Sequence, residues 1–81
     1  MNKRYEDGVA SAEALSARAD IAKQVHIARK EAHLTQQNLA DLTGTKKSNI
    51  SRMESGRYNP SLDFLVKVAC SMGKEIKLVV E

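Results

Sequence analysis

The sequence predicts a mainly helical domain of four to five helices with a β-strand at its C-terminal end. Three observations lead there. The hydrophobic fraction is 42% while the aromatic fraction is only 4%, which suits an aliphatic helical core better than a β-sandwich rich in β-branched and aromatic residues. Apolar residues recur at helical spacing between capping residues and glycines over most of the chain. The final segment, EIKLVVE, then switches to strand-like alternation. At 81 residues the chain is one domain at most, and so small a domain buries little surface and has a thin stability margin.

Taken in order, residues 1–9 are polar and without period, an arm or a frayed end. Ser11 offers a helix cap before AEALSARA, and Asp20 a second before IAKQVHIARKEA. Ile21, Val25 and Ala28 give an amphipathic stripe, with Ile27 and Ala32 nearby. Residues 11–32 are one helix or two, with 16–20 the expected break. His33 and Leu34 end this segment. Thr35 caps the next helix, whose apolar face is Leu39, Ala40 and Leu42. Gly44 falls where a tight turn between helices calls for positive φ, which glycine adopts without steric cost. A third helix covers about 46–55 with Ile50 and Met53 inward, and Gly56 stops it. After a loop at 57–60, Ser61 caps a fourth helix with Leu62, Leu65, Val66 and Ala69 as its stripe, ended by Gly73.

In the tail, Ile76, Leu78 and Val80 alternate with Lys77 and Val79. No other segment reads as a strand, and a lone strand leaves its backbone donors and acceptors unpaired. Pairing of two tails in a homodimer, through Ile76, Leu78, Val79 and Val80, is the simplest expectation. A tail packed in cis, or frayed, is the alternative.

Composition narrows the function classes. Thirteen basic and ten acidic residues give a net charge of +3, too little by itself to imply a nucleic-acid partner. Cys70 has no pairing partner and lies among Val66, Val68 and Ala69, so it reads as a small core residue. No metal-ligand spacing, nucleophile triad, phosphate loop or carboxylate pair appears, so neither an enzyme nor a cofactor is expected. His26 and His33 have no carboxylate, Cys or second His at useful spacing and read as surface or partly packed residues. The N-terminal segment lacks a signal-peptide apolar core, and no apolar run approaches a membrane span, so a cytoplasmic protein is expected.

Two short helices joined by a glycine turn can set the second helix into a groove of DNA. The stretch LTQQNLADLTGTKKSNISRMESGRYNPSLDFLVKVACSMG resembles the Cro/lambda-repressor helix-turn-helix family, also called XRE, over about residues 21–73. The Thr-Gln, Leu-Ala, Gly, Ile-Ser, Glu-x-Gly, Asn-Pro-Ser and Met-Gly elements carry the likeness. It implies a lambda-repressor-like domain at 20–73 with its motif at about 35–54; an arm or extra helix at 1–19 precedes it, and the dimerising strand expected from the alternation at 74–81 follows it. It implies that Gln36 contacts a phosphate and that Lys47, Ser48 and Asn49 reach base edges: Lys suits guanine O6 or N7, Asn can pair bidentately with adenine, and Ser can bond to either. Lys46 suits a phosphate, and Ser51 lies one turn on. Arg52 suits a base or a phosphate. Arg57, Tyr58 and Asn59 fall where the family contacts the DNA backbone.

The likeness also implies that Glu54 pairs inward with Arg29 as a structural pair. The four cations Lys46, Lys47, Arg52 and Arg57 then face outward together. Two departures from the family pattern are Lys46, where a side-chain cap is usual, and the strand in place of a fifth helix. The latter resembles antitoxins of the HipB and HigA type. The expected function is a sequence-specific transcriptional repressor bound to double-stranded DNA at an inverted repeat, the autoregulating antitoxin of a toxin partner. The alternative is a stand-alone regulator of phage or mobile-element type. A helical protein-interaction module is disfavoured by the basic row on the third helix.

Overall fold

In a computed structural model, residues 10–81 are described; the arm read at residues 1–9 lies outside them. Four helices follow in order: α1 (Ala12–Glu31), α2 (Gln36–Thr43), α3 (Lys47–Glu54) and α4 (Leu62–Ser71). Their starts are written in short polar side chains. The Ser11 hydroxyl accepts from the Ala14 N–H, and that of Ser61 accepts from the Phe64 N–H. Thr35 and Asn38 form a reciprocal capping box, satisfying two donors that a helix start otherwise leaves unpaired. Lys46 caps α3 without a side-chain hydrogen bond.

The helix ends depend on left-handed backbone. Gly44 has φ of 68°, and the Thr45 N–H behind it closes on the Ala40 carbonyl at 2.9 Å. His33 ends α1 in the same way at φ of 58°, and the Leu34 N–H reaches the Arg29 carbonyl at 3.1 Å. A β-carbon makes that conformation costly, by about 1–2 kcal/mol, so here the closing hydrogen bonds hold a residue less suited to it than glycine.

The core is small and aliphatic. Leu39, Ala40, Ile50, Met53, Leu65 and Val68 are buried together, with Ile21, Val25, Tyr58, Phe64 and Met72 packed around them. The α2–α3 pair forms its centre, with α4 against α2 and α1 against α3. Thr43 is also buried. Its hydroxyl donates toward the Leu39 and Ala40 carbonyls, so no polar atom is stranded.

Several sequence expectations are corrected. Residues 12–31 form one unbroken helix. The break expected at 16–20 and the cap expected at Asp20 do not occur, because the helix hydrogen bonds continue from the Ser11 cap and the segment holds no glycine or proline. No β-strand occurs among the described residues. Residues 74–81 carry no regular structure, and Leu78, Val79 and Val80 are 87%, 74% and 86% exposed, with Ile76 at 39%. The alternating pattern alone cannot make a strand, because a strand exists only by pairing and the other described segments are helices and their connections. Leu42, Leu62 and Val66 point to solvent, and their expected core places are taken by Thr43 and Val68. Cys70 is likewise exposed: on α4 it lies two positions from Val68, roughly the opposite side of the helix.

Leu39→Ala is expected to cost about 2–5 kcal/mol, as a fully buried leucine does. Leu42→Gln, one turn away but outward, is expected to change stability by less than about 0.5 kcal/mol. Urea denaturation of the two variants checks the register of α2.

Candidate nucleic-acid interface

The exposed face of α3 is built from the residues between its buried ones. Ile50 and Met53 face the core, so Lys47, Ser48, Ser51, Arg52 and Ser55 fall on the outside, and all five are exposed. Lys46 precedes them and Arg57 follows, both exposed. Among the described residues, Lys46, Lys47, Arg52 and Arg57 have no carboxylate partner. Ser48, Ser51, Arg52, Ser55, Arg57 and Tyr58 line an open groove between α3 and the loop after it.

Asn49 is half-buried, and its amide nitrogen donates to the Thr45 hydroxyl at 2.7 Å. This leaves its carbonyl oxygen and second N–H for another partner. Tyr58 packs against the core, while Asn59 is exposed beside it. Ser55 holds the turn after α3, donating to the Arg52 carbonyl at 2.6 Å and accepting from the Arg57 N–H at 3.3 Å.

Beneath this face a cluster of linked charges ties three helices together. The Arg29 guanidinium grips Glu54 with Nε on Oε2 at 2.7 Å and Nη2 on Oε1 at 2.9 Å. Its Nη1 donates to the Leu34 carbonyl at 2.9 Å. The two side chains are only 8% and 4% exposed. Gln36 Nε2 donates to Glu54 Oε1 at 3.3 Å, and His26 Nδ1 lies 3.0 Å from the same oxygen. α1, α2 and α3 therefore meet on one carboxylate.

Burial alone would push the Glu54 carboxyl up. The hydrogen bonds from Arg29, His26 and Gln36, with the Arg29 charge, outweigh this and hold it below the usual carboxylate range. The same bond to Glu54 raises Arg29 against the opposing effect of burial.

Gln36, expected on a phosphate, thus has its amide turned at least partly toward Glu54. His26, read as a surface or partly packed residue, is half-exposed, and its contact with Glu54, which the sequence reading did not foresee, makes it a member of the cluster. The available signal was its place three residues before Arg29, which puts the two on one helical face; a carboxylate reaching both from 25 or more residues away carries no local signature.

Comparison with known proteins agrees with this architecture. A helix-turn-helix family model matches residues 25–79. The chain belongs to the helix-turn-helix family of Cro/lambda-repressor type. It is similar to an uncharacterized HTH-type transcriptional regulator of Haemophilus influenzae, 32% identical over 62 residues, covering 76% of this chain and 63% of that protein. It is also similar to a competence pilus inhibition repressor of Acinetobacter baylyi, 42% identical over 65 residues, covering 76% and 59%. The chain thus spans about three-fifths of the length of these two relatives. Among solved structures it is similar to a toxin–antitoxin module from Streptococcus pneumoniae, with a TM-score of 0.66, 32% identity, and coverage of 96% of this chain and 88% of that one.

Glu54 is expected to contribute to the acid response of this helix-turn-helix domain. Its folded pKa is depressed, so its contribution is present above the unfolded value, near 4.5, and is lost as pH falls through the folded one. Glu54→Gln is expected to cost about 3–5 kcal/mol at pH 7, since it leaves a buried Arg29 charge uncompensated. The gap between variant and wild type is expected to narrow below about pH 4.5. Denaturant titrations at pH 7, 5 and 3 check both.

Proposed function

We propose that this protein is a sequence-specific repressor that binds double-stranded DNA by laying α3 in the major groove. One observation carries the reading. The outward face of α3 offers cations that pair with no carboxylate among the described residues, and small polar side chains, on a helix fixed from below by Ile50, Met53 and the Glu54 cluster. Rigid backing matters because base readout needs donors placed to within a fraction of an ångström. Lys47, Ser48 and Asn49 at the start of α3 are the base-reading group, and Asn49 is preset by its bond to Thr45. Lys46, Arg57 and Asn59 flank them and suit phosphates, with Gln36 at the start of α2, while Tyr58 braces the loop and Ser51 and Arg52 extend the face by one turn. A single copy reads one half of an inverted repeat, so two copies are needed, with half-sites about one helical turn (~34 Å) apart. The protein acts by binding and performs no catalysis.

The likeness to a pneumococcal toxin–antitoxin module over nearly the whole chain favours a more specific role, that of an antitoxin repressing its own operon while holding a toxin. The likeness to the Acinetobacter repressor favours regulation without a toxin. Co-purification from the native host separates the two: a stoichiometric small protein partner supports the first, and a bare homomeric repressor supports the second.

Lys46→Ala is expected to weaken all DNA sequences alike and to flatten the slope of log affinity against log salt by about 0.9. Lys47→Ala with Asn49→Ala is expected to lower operator preference by about 1–3 kcal/mol per lost base contact, with non-operator DNA much less affected. Anisotropy titrations against operator and scrambled duplexes at several salt concentrations check both. Unchanged operator preference in the double variant would remove these residues from the reading group.

A further inference from the structure

At the start of α3 the side-chain amide of Asn49 is tethered backwards, with Nδ2 donating to the Thr45 hydroxyl at 2.7 Å. The bond spans the Lys46 cap, which lends no side-chain hydrogen bond of its own. Both of its ends are anchored through the backbone. The Thr45 N–H closes on the Ala40 carbonyl at 2.9 Å, and the Asn49 N–H reaches the Lys46 carbonyl at 2.9 Å. Both residues are half-buried, and Ile50 next to Asn49 is fully buried.

A carboxamide carries two N–H donors and a carbonyl with two lone pairs. Thr45 takes one N–H, so one donor remains beside one acceptor. Base edges in the major groove answer such a pair differently. Adenine presents an acceptor at N7 beside a donor at N6 and satisfies both groups at once. Guanine presents two acceptors, which sets its O6 against the amide carbonyl. Cytosine offers a donor, and thymine an acceptor with a methyl group, so each makes one bond. An amide turned over, with its carbonyl on the Thr45 hydroxyl, would show two donors to the groove, which suit guanine. The base that is read therefore depends on which end of the amide Thr45 holds.

We propose that Thr45 is a positioning residue that commits Asn49 to adenine, by accepting from Nδ2 and leaving Oδ1 and one N–H for the base. This rests on the reading of α3 as the helix in the major groove. A free amide gives up its rotation only when it meets the base, and that ordering weakens the contact. A tethered amide is ordered on folding. Duplexes lacking adenine at that pair do not engage both amide groups, so the tether raises base preference and leaves general affinity alone. A contact to phosphate does the reverse.

The test has a DNA arm and a DNA-free arm. Thr45→Val removes the hydroxyl and keeps the branched shape, Thr45→Ala removes it with less bulk, and Thr45→Ser keeps it. The full-length proteins select from a randomised duplex pool, and the base pair read by Asn49 is the one whose preference disappears in Asn49→Ala. Wild type is expected to take adenine there by about five- to 150-fold over the other bases, the range of a good bidentate pair. Thr45→Val and Thr45→Ala are expected to lose about two- to tenfold of that preference, the effect of ordering one side chain. The loss is expected at that pair and at no other, and Thr45→Ser is expected to keep the preference. Guanine at that pair in wild type overturns the proposal, as does an unchanged preference in both Thr45→Val and Thr45→Ala. A loss spread evenly over all duplexes also overturns it, since it marks a structural role.

In the free protein, the two Asn49 side-chain N–H resonances are expected to lie far apart, to draw together in Thr45→Val and Thr45→Ala, and to stay apart in Thr45→Ser. Resonances that ignore the loss of the hydroxyl would overturn the tether whether or not DNA is bound. If wild type selects no sequence, the groove reading of α3 fails and the assignment to adenine fails with it, while the amide resonances still decide whether Thr45 holds the side chain.

Discussion

The carboxylate of Glu54 is the point on which three of the four helices are hung. It sits at the last position of α3, yet its partners come from α1 and α2, more than 15 residues away in sequence. A buried charge in a small aliphatic core is tolerable only if its lone pairs are filled and its charge is answered. Arg29 does both with a two-pronged grip, and it extends a third donor to the Leu34 carbonyl at the close of α1. One arginine thus fixes the end of α1 and the orientation of α3 together. With only a handful of fully buried side chains, hydrophobic burial alone leaves helix orientation loosely defined, and the ion pair supplies direction that apolar contacts lack.

The outward face of α3 depends on this arrangement. Its cations are close together in sequence, and the only acid of the helix is Glu54. Were that carboxylate free, it would subtract from the positive surface and accept hydrogen bonds from the groups meant for a partner. Turned inward and matched with Arg29, it leaves the surface with cations and small polar groups. The same residue that organises the core therefore also sets the sign of the exposed face.

The tail shows where pattern reading stops. Alternation in EIKLVVE is a statement about which side chains would share a face if the segment were extended and paired. Pairing needs a second strand, and the described parts of the chain supply helices and connections only. Residues 74–81 consequently leave four apolar side chains facing solvent to differing degrees.

The sequence by itself determined the starts of α1, α2 and α4 and the end of α2. Ser11, Thr35 with Asn38, and Ser61 cap their own helices, and Gly44 ends α2 in the left-handed region; these are interactions within a few residues, so local chemistry suffices. Ile50 and Met53, Leu39 and Ala40, Leu65 and Ala69 were legible as core positions for the same reason, and the candidate surface residues of α3 could be named from the motif. Only the tertiary structure decided which apolar side of an eight- or ten-residue helix is buried. Two turns carry apolar residues on more than one side, and Leu42, Leu62 and Val66 lost their places to Thr43 and Val68 because of where the neighbouring helices lie. The place of His26 was likewise settled in three dimensions. Its spacing to Arg29 is local, but the Glu54 oxygen that gives that spacing a meaning arrives from 28 residues away, carried there by the packing of α3 on α1.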